Sequence, residues 1–127
     1  MTGPSGRTFA DLPIDGTRGF PQEFPFLFEG RTYHFRIYIN AKRELLADRA
    51  DVLQLPSDDA ALVVRIERQD ETGERAVIFL RKVVPSLEYA VEDICVTFPA
   101  QRVAIGNLNG SGALGTQVAG GMRSRWA

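Results

Sequence analysis

The chain has 127 residues, enough for one domain with a hydrophobic core, and its 44% hydrophobic and 24% charged residues are typical of a globular protein. Its 15 basic and 16 acidic residues leave a formal charge of −1, so it lacks the long-range attraction that non-specific nucleic-acid binding requires, and we expect no nucleic-acid partner. No apolar run of about 18 residues and no signal-peptide core occurs, which favours a cytoplasmic protein without a membrane span.

The first 19 residues form a segment of turn-favouring composition. They contain four glycines, two prolines and scattered charges, with few groups to bury. We therefore expect residues 1–19 to be an extended or flexible N-terminal arm, followed by a β domain over residues 20–105.

Two runs of alternating aromatic and apolar residues begin the β domain, separated by Glu29-Gly30. This pattern predicts a hairpin with an aromatic inner face. The inner side chains are those of Phe24, Phe26, Phe28, Tyr33, Phe35, Ile37 and Ile39. The side chains of Thr32, His34, Arg36, Tyr38 and Asn40 then point outward, toward solvent or a partner.

Residues 41–58 have an ambiguous pattern. Leu45, Leu46, Arg49 and Leu53 fit one face of a helix, whereas residues 52–55 also fit a strand. We expect a short helix or an irregular crossover here.

Further strands follow at short intervals. Residues 61–68 and 75–84 predict a second long hairpin, and the returning strand has apolar residues on both faces, which indicates a central position. With strands near residues 24–28, 32–40 and 93–98, the chain is predicted to be mainly β, a single antiparallel sandwich or small barrel with flexible N- and C-terminal arms.

The last segment contains Gly110, Gly112 and Gly115 in the spacing of a dinucleotide-binding loop. A functional loop of this type opens a helix and is followed by an acidic ribose contact. Here only twelve residues follow Gly115. They include Gly120-Gly121, and none of them is acidic. We therefore expect no nucleotide or other cofactor.

Residues 106–127 are instead predicted to be a glycine-rich C-terminal arm. It ends in Met122, Arg123, Arg125 and Trp126, residue types that gain from burial against another surface. We expect these four residues to form an intermolecular interface and the domain to be stable without the arm. A disordered tail is the alternative interpretation.

The remaining polar residues form no recognisable catalytic or metal-binding constellation. His34 is the single histidine, and the lone Cys95 lies in an apolar strand, where we expect a buried, inert thiol. Acidic pairs at 58–59, 70–71 and 92–93 lack the spacing of a calcium loop. The sequence therefore predicts neither catalytic residues nor a metal site.

The hairpin FEGRTYHFRIYIN, residues 28–40, resembles those of small β-rich structural proteins of bacteriophage tails and baseplates. This resemblance implies a non-enzymatic subunit, cytoplasmic before assembly and then part of a tail or tail-like particle, that joins other subunits in a homo- or hetero-oligomer. Arg36 and Tyr38 would add to the interface. A small β module that binds a ligand or a protein is the alternative, and an enzyme with an unrecognised site is a further one.

Overall fold

The computed structural model describes residues 1–42, 52–105 and 115–126. They form two antiparallel sheets that are not closed into a barrel, consistent with a β-sandwich, which confirms the predicted mainly β class. Their strands are β1 (Ala10–Asp11), β2 (Gln22–Phe28), β3 (Arg31–Ala41), β4 (Val52–Gln54), β5 (Ala60–Gln69), β6 (Arg75–Val83), β7 (Glu88–Val91), β8 (Ile94–Ala104) and β9 (Gln117–Ser124). Gly16–Arg18 form one turn of 3-10 helix.

The predicted aromatic hairpin is the β2–β3 pair. Glu29 and Gly30 both have positive φ, as a two-residue hairpin turn requires, and this turn sets Phe24 opposite Phe35. The two rings stack with their centroids 5.2 Å apart. Phe35 and Ile37 are buried in the core, so the predicted inner face of this hairpin is confirmed.

The second hairpin, β5–β6, completes a four-stranded sheet in the order β2-β3-β5-β6. Leu62, Val64 and Ile66 of β5 are fully buried, as their alternation predicts. At the hairpin tip Asp70 accepts hydrogen bonds from the Thr72 hydroxyl and nearby backbone amides, which lower the pKa of its carboxyl group. An acidic pair at this position therefore stabilises a turn.

The predicted central position of the returning strand is wrong. β6 is the edge of its sheet, and β5 is the strand with partners on both sides. Val77 and Leu80 of β6 are half-exposed, at 50% and 54%. The strand with apolar residues on both faces is therefore an edge strand, and some of those residues are exposed to solvent.

The second sheet is organised around the long strand β8. Its first half, Ile94–Thr97, pairs with β7, and its second half, Arg102–Ala104, pairs with β4. On its other side β8 pairs with β9, which in turn pairs with β1. Strand β4 lies where we expected a helix or crossover, and residues 43–51 of that segment lie outside the described residues.

The prediction of a C-terminal arm is wrong for residues 117–124. They form β9, with strands on both sides, and Met122 is completely buried in the core. A Cβ atom at Gly120 would lie 2.6 Å from the Phe98 ring, and one at Gly121 would lie 2.6 Å from Cβ of Phe9. The two glycines therefore let the β9 backbone pack closely against Phe98 and Phe9, which belong to the same chain and not to a partner.

Residues 1–19 are likewise not an arm separate from the domain. Phe9 and Leu12 are buried, and β1 between them extends the second sheet. Phe9 covers the face of β9 that points away from the core, because Gly121 has no side chain there. The domain therefore includes residues 1–19 and residues 117–124, which the composition assigned to arms.

Replacement of Ile37 by Ala should lower the free energy of unfolding by about 2–5 kcal/mol, because it leaves a cavity in a fully buried site. Leu27→Ala removes a side chain of the same size from a position that is 71% exposed, and should change stability by less than about 0.5 kcal/mol. Urea unfolding followed by circular dichroism measures both. Equal effects of the two substitutions would contradict the assignment of inner and outer faces.

Deletion of residues 117–127 should abolish cooperative unfolding, since it removes a paired strand and the buried Met122. Deletion of residues 125–127 alone leaves β9 intact and serves as the matched control. Thermal denaturation of both proteins tests this expectation. A melting temperature for the longer deletion close to that of the full chain would restore the arm interpretation.

Candidate functional site

The outer face of the four-stranded sheet carries two rows of side chains that cross all four strands. We define this outer face by the two rows, which follow from the register of the strands. The first row is Glu23, Arg36, Arg65 and Leu80, and the second is Pro25, His34, Glu67 and Val77. It contains the predicted interface residue Arg36, and Tyr38 lies two residues further along β3.

Two arginines stand directly opposite each other in the first row. Arg36 and Arg65 are register partners on β3 and β5, an arrangement of like charges that disfavours pairing. Each guanidinium has a carboxylate neighbour: Arg36 lies 3.4 Å from Glu23, and Arg65 lies 3.2 Å from Glu67. Such exposed ion pairs contribute about 0–1 kcal/mol, so these arginines remain free to exchange partners.

Apolar and aromatic groups adjoin the arginines. The Arg36 guanidinium lies 5.9 Å from the centre of the Tyr38 ring, and half-exposed Leu80 lies beside Arg65 in the row. Arg36, Tyr38, Arg65 and Leu80 line one shallow depression together with Pro21. Tyrosine and arginine are enriched among the residues that contribute most at protein interfaces, so this depression is a candidate contact surface.

The second row contains the single histidine. His34 Nε2 lies 2.6 Å from the Gln69 side-chain oxygen on the neighbouring strand, as a cross-strand histidine would. The depression around His34 measures about 250 Å³ and is lined mainly by charged groups. Pockets for small ligands usually measure about 300–1,000 Å³ and are mostly apolar. This part of the sheet is therefore a surface and not an enclosed pocket.

Arg125 and Trp126, two further predicted interface residues, lie away from the outer face. The Arg125 amide donates to the Asp93 carbonyl at 2.8 Å, and the Trp126 ring nitrogen lies 3.4 Å from the Asp93 carboxylate. The Arg125 guanidinium is 4.9 Å from the Trp126 ring centre. Trp126 is nevertheless 74% exposed, so it packs only partly on its own chain.

Met122 and Arg123, by contrast, have structural roles within the chain. Met122 belongs to the core, and Arg123 lies 3.4 Å from Glu88 and 5.2 Å from the Phe9 ring centre. The predicted intermolecular role of Met122 is wrong, because β9 places its side chain between the two sheets. The Arg123 side chain is largely buried, at 13% exposed, and links β9 to β7 and to the N-terminal segment.

Glu88 is the partner that fixes Arg123. Its carboxylate also accepts a hydrogen bond of 2.6 Å from the Ser5 amide. Burial alone would raise the pKa of Glu88, but the hydrogen bonds from Ser5 and the charge of Arg123 outweigh it and lower the pKa below the usual 4.5. The ionised form of Glu88 therefore stabilises the N-terminal segment against the second sheet.

The remaining candidates for chemistry are explained by packing. Cys95 is buried, and burial raises the pKa of its thiol, so the thiolate is disfavoured. Among residues 1–42, 52–105 and 115–126, no three metal-ligating side chains come together. No helix in those ranges is both long enough and apolar enough to cross a membrane. Gly110 and Gly112 of the nucleotide-like pattern lie outside the described residues.

Sequence reasoning missed Arg65, Val77 and Leu80 as members of this face. They lie on β5 and β6, which come next to the aromatic hairpin only through the pairing of β3 with β5. For Val77 and Leu80 the sequence contained a signal, which is the presence of apolar residues on both faces of the returning strand. We interpreted that signal as burial, and it instead marks exposed apolar groups on an edge strand.

Glu88→Gln should lower the free energy of unfolding by about 1–3 kcal/mol near pH 7, because it removes a charged partner from a largely buried arginine. A carboxyl group with a lowered pKa stabilises the fold above its unfolded pKa and loses this effect as the pH falls through its folded pKa. The difference between the two proteins should therefore shrink below about pH 4. Urea titrations at several pH values measure it.

Glu23→Gln is the matched control, since that carboxylate pairs with an arginine on the exposed outer face. It should change stability by less than about 0.5 kcal/mol at every pH. A Glu88→Gln penalty that stays constant down to about pH 3 would contradict the assigned role of Glu88.

Comparison with known proteins adds no further identification. No protein-family model matches the chain, and no curated protein or solved structure matches it. The composition and geometry of the outer face are therefore the basis for a functional proposal.

Proposed function

We propose that this protein is a non-enzymatic structural subunit of a multi-protein assembly and that the outer face contacts a neighbouring subunit. The observation that carries the proposal is one depression that brings together two exposed and two half-buried side chains. Arg36 and Leu80 are the exposed ones, and Tyr38 and Arg65 are half-buried. The Arg36 side chain is 47% exposed and Leu80 is 54% exposed, so contacts within the chain cover only about half of each. A second protein surface would cover them.

The energetics of the face support this use. Complete burial of one Leu or Val side chain contributes about 1.5–3 kcal/mol, and Leu80 and Val77 both have about half of that area available. Arginines at the centre of an interface gain further when a carboxylate or a carbonyl of the partner replaces water. Exposed Trp126, at the β7–β8 turn, offers the assembly a second and smaller contact.

The resemblance of residues 28–40 to hairpins of phage tail and baseplate proteins makes a tail or tail-like particle the assembly we propose. Arg36 and His34 of the outer face lie on this hairpin, and Arg65 and Glu67 lie on β5, to which it is paired. The contact therefore uses a β surface, as the resemblance implies. It does not use β9, which is paired on both of its sides within the domain.

Position-specific photo-crosslinking in the source cell tests the proposal. A photo-reactive residue in place of Leu80 should form one discrete adduct with another protein. The same residue in place of Val52, which is 48% exposed but lies in the other sheet, should form none and is the matched control. Adduct masses on a gel separate a second copy of this chain from a different subunit.

Charge reversal then tests the site. Arg36→Glu should reduce the Leu80 adduct about tenfold, since a charge at the interface centre typically contributes more than 1 kcal/mol. Arg18→Glu changes an equally exposed arginine outside the sheets and should leave the adduct unchanged. A Leu80 adduct that is absent, or that is insensitive to Arg36→Glu, would contradict the outer face as the contact.

A further inference from the structure

The four-stranded sheet has two edges that differ in their capacity to pair. β2 contains Pro25, which has no amide hydrogen to donate, so its edge is interrupted. β6 contains no proline, and among the described residues no strand pairs with it on the side away from β5. Its unpaired backbone groups are a template for an added strand.

One irregularity limits the length of this template. The register of β6 with β5 shifts between Ile66 and Glu67, so that Phe79 and Val77 face successive residues of β5 and Ile78 is the extra residue of a bulge. From Phe79 to Val83 the pairing is continuous. The regular part of the edge is therefore five residues long and ends at the bulge.

The charges on this edge are all positive. β6 contains Arg75, Arg81 and Lys82, all exposed, and no acidic residue. Arg65 lies beside Leu80 on the adjacent strand and adds a further cation to the outer face. Like charges oppose the pairing of β6 with a second β6, whereas an acidic segment is attracted.

The order of side chains along the edge predicts which residues an added strand should carry. Arg81 and Lys82 are adjacent, so they point to opposite faces of the sheet, and Leu80 shares the outer face with Lys82. An added antiparallel strand would place two consecutive residues opposite Lys82 and Arg81 and the next residue opposite Leu80. Two adjacent acids followed by an apolar residue fit these positions.

We propose that the edge of β6 from Phe79 to Val83 receives an extended acidic segment of a neighbouring subunit, which adds a fifth strand to the four-stranded sheet. The assignment of this segment to a neighbouring subunit rests on the proposed function. The chemistry of the segment rests on the edge itself: backbone groups that no described strand pairs, the cations Arg81 and Lys82, and the exposed side chain of Leu80. The added strand would lengthen the first row of the outer face by one side chain, next to Leu80.

The test uses the full chain and a capped peptide of sequence TTEEVTV, whose glutamates would face Lys82 and Arg81 and whose first valine would face Leu80. Nuclear magnetic resonance titration at low salt should shift the amide signals of residues 79–83, and hydrogen exchange should slow at the alternate amides of this range that point away from β5. The peptide TTKKVTV should bind at least about tenfold more weakly, a difference of about 1.4 kcal/mol. Equal binding of the two peptides would overturn the proposal.

A backbone control separates strand addition from simple charge attraction. The acidic peptide with both glutamate amides N-methylated keeps its charge but cannot form a regular ladder, so it should not slow exchange at residues 79–83. Equal protection by the methylated peptide would show ion pairing without an added strand and would overturn the proposal.

Charge reversal of the edge provides a second readout. The double variant Arg81→Glu/Lys82→Glu should prefer TTKKVTV, whereas Arg7→Glu/Arg18→Glu, with the same charge change at exposed positions elsewhere, should keep the original preference. An unaltered preference in the edge variant overturns the proposal. If that variant does not fold, as circular dichroism would show, the comparison of peptides on the unaltered chain decides.

The outcome is separable from that of the proposed function. Adducts at Leu80 that depend on Arg36, together with no protection of residues 79–83 by TTEEVTV, would leave the subunit contact intact and reject the added strand. Protection of these residues without any adduct would support the edge as an acidic-strand site and reject the outer face as the contact.

Discussion

The close approach of β9 to aromatic side chains on both of its faces is the constraint on which the sandwich depends. Successive residues of a strand point to opposite faces, so Gly120 and Gly121 expose the backbone once on each side. The Phe98 ring occupies the space on one side and Phe9 the space on the other. β9 thereby joins the core, the second sheet and the N-terminal segment in one packed unit.

The Glu88–Arg123 pair continues this arrangement. Arg123 follows Met122 on β9 and lies on the same face as Gly121, over which Phe9 packs. Glu88 contacts Arg123 and also the Ser5 amide, so one carboxylate connects β7, β9 and residues near the start of the chain. Segments without enough apolar groups for a core of their own are thus ordered by a few contacts with the rest of the domain.

The hairpins were predictable from the sequence because their signals are local. Phe24 and Phe35 alternate with polar residues on either side of a turn, and the turn itself fixes their register. The strand character of residues 117–124 was not predictable in this way, since it depends on pairing with β8 and with β1, about a hundred residues earlier. Glycine-rich composition normally indicates a loop, and here it serves packing.

The candidate site was predicted only in part for the same reason. Arg36 and Tyr38 follow from the alternation within one hairpin, but Arg65 and Leu80 join them through the register between hairpins, which composition does not specify. Trp126 was expected to be available for contact, and it is exposed. Met122 was expected to be buried against another protein, but it is buried in the core of its own chain.

The connectivity of the two sheets has a consequence for synthesis on the ribosome. The four-stranded sheet uses β2, β3, β5 and β6, all of which are translated before residue 84. Its covering sheet needs β1 and also β8 and β9, which are translated later. A nascent chain that has passed residue 83 can therefore form a sheet whose apolar side has no cover. During that interval the cations of β6 and Pro25 of β2 disfavour pairing of the sheet edges with other copies of the chain, which lowers the tendency to aggregate before the core is closed.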